Sequence, residues 1–276
     1  MAANSGNTDY GVGVQTDIDP GSQADTAVLT IAHISDLHFN GTEHNNRRVR
    51  AVLDYINERS SGIDVLLVTG DIADSGHPSQ YEEATKTLWS PLPMLICPGN
   101  HDARDEFGFG LLGKHSHDDP LNRAQLIAGA LFISVDSSVR GQPYGHLSDH
   151  TLAWMEAQID AQPTTTPVFL SFHHPPVRLR MPFMDHIRMA DNEGLEQLVA
   201  NHPNIAAMFC GHAHTGAVTT FAGRPLCLAP GVASTLNLPF EGTEVINPTQ
   251  PPGLAFHTYA DGRLISHFRS VVVPQS

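Results

Sequence analysis

The chain has 276 residues, 41% of them hydrophobic and 16% charged, enough to bury a sizeable core in one large or two modest domains without disulfide or metal staples. Fifteen Lys and Arg against 29 Asp and Glu give a formal charge of -14. That balance argues against a nucleic-acid polymer or an anionic membrane as partner, because both demand a positive surface.

Residues 1–27 are polar and acidic, with neither a basic start nor an apolar centre, so they read as a flexible N-terminal arm rather than a signal peptide. The first buried strand is expected at VLTIAHI (28–34), a short β-branched run. Helical spacing of Val49, Val52, Leu53 and Ile56 predicts an amphipathic helix over 45–59. Strands follow at 64–71, 92–100, 130–136, 167–174 and 204–212, with helices at 78–89, 148–161 and 191–201. Pro78 supplies a start signal for the helix at 78–89. Beyond residue 216 the pattern turns to strands joined by short turns, at 217–223, 224–230, 253–260 and 263–271, with Ala260-Asp261-Gly262 as a hairpin turn. Alternating helices and strands followed by antiparallel strands point to an α/β sandwich. Segments 102–128, 175–190 and 236–252 lack periodicity and read as long loops. No apolar run reaches the ~18 residues of a membrane span.

Five motifs fall at the C-terminal ends of predicted strands: Asp36-Leu-His38, Gly70-Asp71, Gly99-Asn100-His101-Asp102, His173-His174 and Gly211-His212-Ala213-His214. In an open α/β sheet that edge binds ligands. Imidazoles and carboxylates delivered there together would build a multi-ligand metal site. One carboxylate flanked by Gly, as Asp71 is by Gly70, can bridge two ions. The three cysteines, Cys97, Cys210 and Cys227, are widely spaced and form no CxxC. Neither a disulfide framework nor a Cys-ligated zinc site is suggested, and a reducing cytoplasm is the default.

In this order, over residues 31–214, the motifs resemble those of the calcineurin-like metallophosphoesterases. HISDLHF, TGDIAD, CPGNHD, HHPP and FCGHAH resemble, more narrowly, the class III cyclic nucleotide phosphodiesterase and glycerophosphodiesterase group. The resemblance implies one domain over 28–276, a two-sheet mixed β sandwich flanked by helices. It implies two divalent or trivalent metal ions, with Fe, Mn, Zn and Co all suited to the donor set. The first would be held by Asp36, His38, Asp71 and His214, the second by Asp71, Asn100, His173 and His212. His101 would be the catalytic residue, facing the substrate phosphate beside Asn100 and binding no metal. The implied reaction is hydrolysis of a small phosphodiester, a 3′,5′-cyclic nucleotide such as cAMP or a glycerophosphodiester, by a hydroxide bridging the metals. Ser75 stands where protein phosphatases of the family carry Arg, and Phe39 where they carry Gly. A phosphomonoesterase and a non-catalytic protein-binding scaffold are the alternatives, and a homo-oligomer stays open.

The remaining candidates have plainer readings beside the functional ones. Arg178 and Arg180 either grip a phosphate or sit at the surface, and Met181, Phe183 and Met184 either wall the substrate or pack their loop. Asp74 and Asp102 either orient a ligand histidine or make turns. His174 reads as loop support. His115, His117, His146, His150 and His186 lie in or near loops, within reach of substrate. His33, His44, His77, His202, His257 and His267 read as ordinary surface or core residues.

Overall fold

The computed structural model describes residues 28–117 and 119–274, so the arm expected at 1–27 lies outside the described residues. Strands β1 (Leu29–Ile34), β2 (Val65–Thr69) and β3 (Met94–Cys97) are parallel neighbours. Two C-terminal strands, β12 (Gly253–Ala260) and β13 (Arg263–Ser270), extend that sheet antiparallel on the β1 side, giving the order β13-β12-β1-β2-β3. The second sheet runs β4-β5-β6-β7-β9-β8, built from β4 (Arg123–Ile127), β5 (Ala130–Ser134), β6 (Val168–Ser171), β7 (Ile205–Cys210), β8 (Ala217–Phe221) and β9 (Arg224–Leu228). Its inner strands are parallel, and β4 and β8 close the edges antiparallel.

Strands β1, β2, β3, β5, β6 and β7 are largely apolar on both faces because both faces are covered, whereas β4, β8 and β13, at sheet edges, are more exposed. The period of two sorts their side chains into separate layers. Leu29, Ile31, Val65, Leu67 and Leu95 meet Phe132, Phe169, Ala207 and Phe209 between the sheets. On the other face of the first sheet, Ala32, Ile34, Leu66 and Val68 pack under α1 (Glu43–Asn57), α2 (Pro78–Thr87) and α3 (Arg104–Leu112). The second sheet presents Leu131, Ile133, Leu170 and Met208 to α4 (Asp149–Asp160), α5 (Pro182–His186) and α6 (Glu193–Asn201). The result is helix, sheet, sheet, helix: the α/β sandwich expected from the sequence.

Helix starts follow their caps. Thr42 accepts from the Asn45 amide at α1, Ser148 accepts from the Thr151 amide at α4, and His77 with Gln80 forms a capping box before Pro78 at α2. Asp261 and Gly262 both take positive φ, 52° and 72°, as a two-residue hairpin between β12 and β13 requires. The segments expected as loops are more structured than that. Residues 102–128 contain α3 and β4, residues 175–190 contain α5, and a two-stranded hairpin of β10 (Thr235–Leu236) and β11 (Ile246–Asn247) occupies the third.

Candidate metal centre

Loops leaving β1, β2 and β3 in one sheet, and β6 and β7 in the other, bring the motif residues together. Asp36 and His38 follow β1, Asp71 follows β2, Asn100 follows β3, His173 follows β6, and His212 and His214 follow β7. Asp71 is the centre of the arrangement. Its Oδ2 lies 3.2 Å from His173 Nε2 and 3.6 Å from His38 Nε2, while Oδ1 accepts the His101 amide at 2.9 Å. On one side Asp36, His38, Asp71 and His214 present ligand atoms that all lie within 4.8 Å of one another. On the other side His173, His174 and His212 do the same. His174, read from the sequence as loop support, therefore belongs to this imidazole cluster, and its Nδ1 also lies 2.8 Å from Ser137 Oγ. A Cβ on Gly70 would strike His173, and one on Gly99 would strike the Asp71 carboxylate, so only glycine lets these loops approach.

The imidazole hydrogen bonds decide where the lone pairs point. His173 Nδ1 donates to the Thr69 carbonyl at 2.7 Å, His212 Nε2 to the Ile187 carbonyl at 3.0 Å, and His214 Nδ1 to the Ser234 carbonyl at 3.2 Å. A carbonyl only accepts, so each of these outer nitrogens carries the hydrogen. The inner nitrogens of the neutral rings are then bare lone pairs, yet His212 Nδ1 and His173 Nε2 face each other at 3.1 Å. His38 Nε2 and His214 Nε2 face each other at 3.2 Å, with Asp74 Oδ1 3.3 Å from the outer nitrogen of His38. Two lone pairs at that distance repel unless a cation joins them. Asn100 Oδ1 is likewise buried with no hydrogen-bond partner. The donor set of imidazole, carboxylate and amide oxygen fits divalent metals of the Mn, Fe, Co and Zn kind.

Electrostatics agree with that geometry at His212 and His214, whereas at His173 burial is outweighed by Asp71 and Asp36, which raise the ring to about 9 so that a proton can stand between the facing nitrogens. Burial pushes Asp36 up to about 6, against the pull of His173. Burial also acts to raise Asp71, but His173 and His38 outweigh it and hold the carboxyl well below the usual range. Burial lowers His212 well below the ordinary value and His214 to about 4, so both favour the neutral form that binds metal.

The supporting carboxylates divide their work. Asp74 Oδ1 stands 3.3 Å from His38 Nδ1, a place from which it can steady that imidazole. Asp102 instead accepts the amides of Ile72, Ala73 and Gly99 and the Tyr81 hydroxyl, locking the Asp71 loop to the Asn100 loop. Burial and the Asp71 charge nonetheless push Asp102 up to about 6. His101 Nδ1 donates to the Asp74 carbonyl at 2.6 Å, and its exposed ring lies edge-on to His38, 4.6 Å between centroids.

Above this cluster opens a cleft of about 580 Å³. His38, Asp71, Asn100, His101, His212 and His214 line its floor. Phe183, Met184 and Ile187 with the hairpin residues Leu236, Val245 and Ile246 form an apolar wall, and Asn40, Thr42, His44 and Asn45 form a polar one. His44, read from the sequence as ordinary, thus reaches the cleft because it opens α1 beside the β1 loop. Arg178 does not line the cleft: Leu179 is tied to Asp185 through its amide, and Arg178 and Arg180 on either side face solvent. A larger cavity, about 630 Å³ between α2 and α3, contains none of the metal-centre residues and carries none of the chemistry.

Residues 29–216 match the profile of the calcineurin-like phosphoesterases. The chain is 31% identical to the glycerophosphodiester phosphodiesterase GpdQ of Enterobacter lignolyticus, over 88% of this chain and 91% of that one. It is 32% identical to a probable cyclic nucleotide phosphodiesterase of Rhodococcus erythropolis, over 76% and 73%. With the 3′,5′-cyclic adenosine monophosphate phosphodiesterase CpdA of Escherichia coli it shares 24% identity over 87% and 89%. Among solved structures it resembles a dimetal phosphatase from Danio rerio, with TM-score 0.64, 15% identity and 88% and 96% of the chains covered, a likeness of fold.

Proposed function

The chain belongs to the calcineurin-like phosphoesterase family, and from that premise we propose that it is a metal-dependent phosphodiesterase acting on small phosphodiesters through two ions that share Asp71. The observation that carries this reading is the two pairs of facing imidazole nitrogens, one on each side of Asp71 Oδ2, beneath a cleft of substrate size. Asp36, His38, Asp71 and His214 would hold one ion, and Asp71, Asn100, His173 and His212 the other. Bound ions supply Lewis-acid polarisation of the phosphoryl group and acidify water. His101 binds no metal in this reading. With Nδ1 anchored on the Asp74 carbonyl, its Nε2 is the nitrogen free to donate to a phosphoryl or leaving-group oxygen when the ring is protonated. Asn100 reaches the phosphate from the same loop, and Phe183 contacts an organic substituent. The relatives named for glycerophosphodiesters and for cyclic nucleotides support either as substrate. Three buried free thiols suit a reducing cytoplasm, and no helix among the described residues is long and apolar enough to cross a membrane.

The test separates ligand from catalyst. Asp71→Ala should lose both ions by elemental analysis and all activity toward cyclic AMP, glycerophosphocholine and bis-nitrophenyl phosphate. His101→Ala should keep its metal while turnover falls by roughly 10²-fold. A metal-stripped wild type that retains full activity, or a His101→Ala protein as metal-poor as Asp71→Ala, defeats the assignment. Faster hydrolysis of a nitrophenyl monoester than of the diesters would favour the phosphomonoesterase instead.

A further inference from the structure

Two fully buried imidazoles lie outside the metal centre, and the proposed reaction makes no use of them. His33 on β1 and His257 on β12 sit in the apolar layer between the sheets, against the Phe209 ring. His33 Nε2 is 2.9 Å from Thr69 Oγ1, His33 Nδ1 is 3.2 Å from His257 Nε2, and His257 Nδ1 is 2.7 Å from Ser266 Oγ. The four residues stand one per strand on β2, β1, β12 and β13, a polar line that runs obliquely over four of the five strands of the first sheet. Burial lowers both imidazoles, His257 to about 3, so each is neutral with one donor and one acceptor. Such a chain can be satisfied only when all its bonds run the same way. Thr69 O–H donates to His33, His33 to His257 and His257 to Ser266, or every bond reverses. Apolar side chains could fill this space without the desolvation cost of two imidazoles.

What the line holds is Thr69, the last residue of β2. Its carbonyl accepts His173 Nδ1 at 2.7 Å and Ser35 Oγ at 2.9 Å, and Asp71 follows two residues later. We infer that His33 and His257 are positioning residues, which fix the end of β2 so that the Thr69 carbonyl holds His173 with its lone pair toward the metal. The inference rests on the proposed reading of the metal centre. Groups that orient a ligand histidine carry about 10- to 100-fold in metal affinity, and this line acts one bond further out.

The experiment is Mn²⁺ titration of metal-stripped full-length protein by calorimetry, with thermal melts on the same samples. His33→Leu and Thr69→Val should weaken Mn²⁺ binding about tenfold, the lower end of that range. His33→Gln, which keeps a donor and an acceptor, should recover most of the loss. Leu95→Ala opens a cavity in the same layer and should lower Tm without weakening Mn²⁺ binding. Thr69→Val preserves shape, so it carries the test if His33→Leu does not fold. Wild-type Mn²⁺ affinity in Thr69→Val, or a loss in Leu95→Ala as large as in the line variants, would show that these residues only pack. A wild-type chain that takes up no Mn²⁺ overturns the proposed function itself and this inference with it.

Discussion

Five of the seven residues proposed as ligands, Asp36, His38, Asp71, His212 and His214, have φ between 44° and 69°. Each such left-handed residue costs on the order of 1 kcal/mol, and strain of this kind persists only where the surroundings enforce it. The facing nitrogens add repulsion, which a metal relieves and which a proton can relieve in its absence. Burial opposes charge on His173, but Asp71 and Asp36 outweigh it and raise the group from 6.5 to about 9. The metal-free native chain therefore holds this proton more tightly than the unfolded chain between pH 6.5 and 9. The stability so contributed is complete below about pH 6.5 and is lost as the pH rises through 9. His212 and His214, with lowered values, add no slope in that window. Melts of chelated protein should show Tm falling from pH 6.5 to 9, while Mn²⁺-loaded protein, its lone pair already engaged, should lack that component. Parallel slopes in the two samples would mean that no proton occupies the metal position.

At the scale of elements, the strand ends supply the residues proposed as ligands and the additions to the sandwich shape what reaches them. Phe183 on α5 and Ile246 on β11 are 60% and 61% exposed and line the same cleft, whereas Met184, which also touches it, is otherwise packed into the core. Phe183→Ala and Ile246→Ala should raise KM for a bulky diester several-fold more than for bis-nitrophenyl phosphate, with metal content unchanged. Equal shifts for both substrates would reduce α5 and the hairpin to scaffolding. The residues proposed as ligands stand out in the sequence because each lies within four residues of the end of a buried strand and is an imidazole, carboxylate or amide. Helix α3 does not: Gly108 and Gly110 weaken its propensity, and Phe107 and Gly108 are its only buried residues. Strand β4 buries Ile127 alone, so no alternation marks it. The His33 line is illegible for a different reason. His33 and His257 are 224 residues apart, and only the sheet order, which periodicity does not specify, makes them neighbours.

For the molecule as a whole, the centre is also a place where polar contacts join the two sheets, through Asp71 with His173 and the His212 amide with Asp36. Asp36, His38, Asp71 and Asn100 come from the sheet of β1, β2 and β3, and His173, His212 and His214 from the sheet of β6 and β7. Each proposed ion takes ligands from both sheets, so metal should act as a clamp across the sandwich. Binding that is confined to the native state stabilises by about 2.7 kcal/mol at a hundredfold excess over Kd, and more if two ions load. Hydrogen exchange should locate the effect. On chelation, protection should fall at the C-terminal ends of β1 and β2 in one sheet and of β6 and β7 in the other, while β4 and the outer edge of β13, far in the strand order from any ligand, stay unchanged. Loss of protection confined to one sheet would place the metal within that sheet's loops alone. A uniform loss would indicate global destabilisation without a clamp. Only loss paired across β1, β2, β6 and β7 fits ions shared through Asp71, since that carboxylate lies within reach of His38 on its own sheet and of His173 on the other.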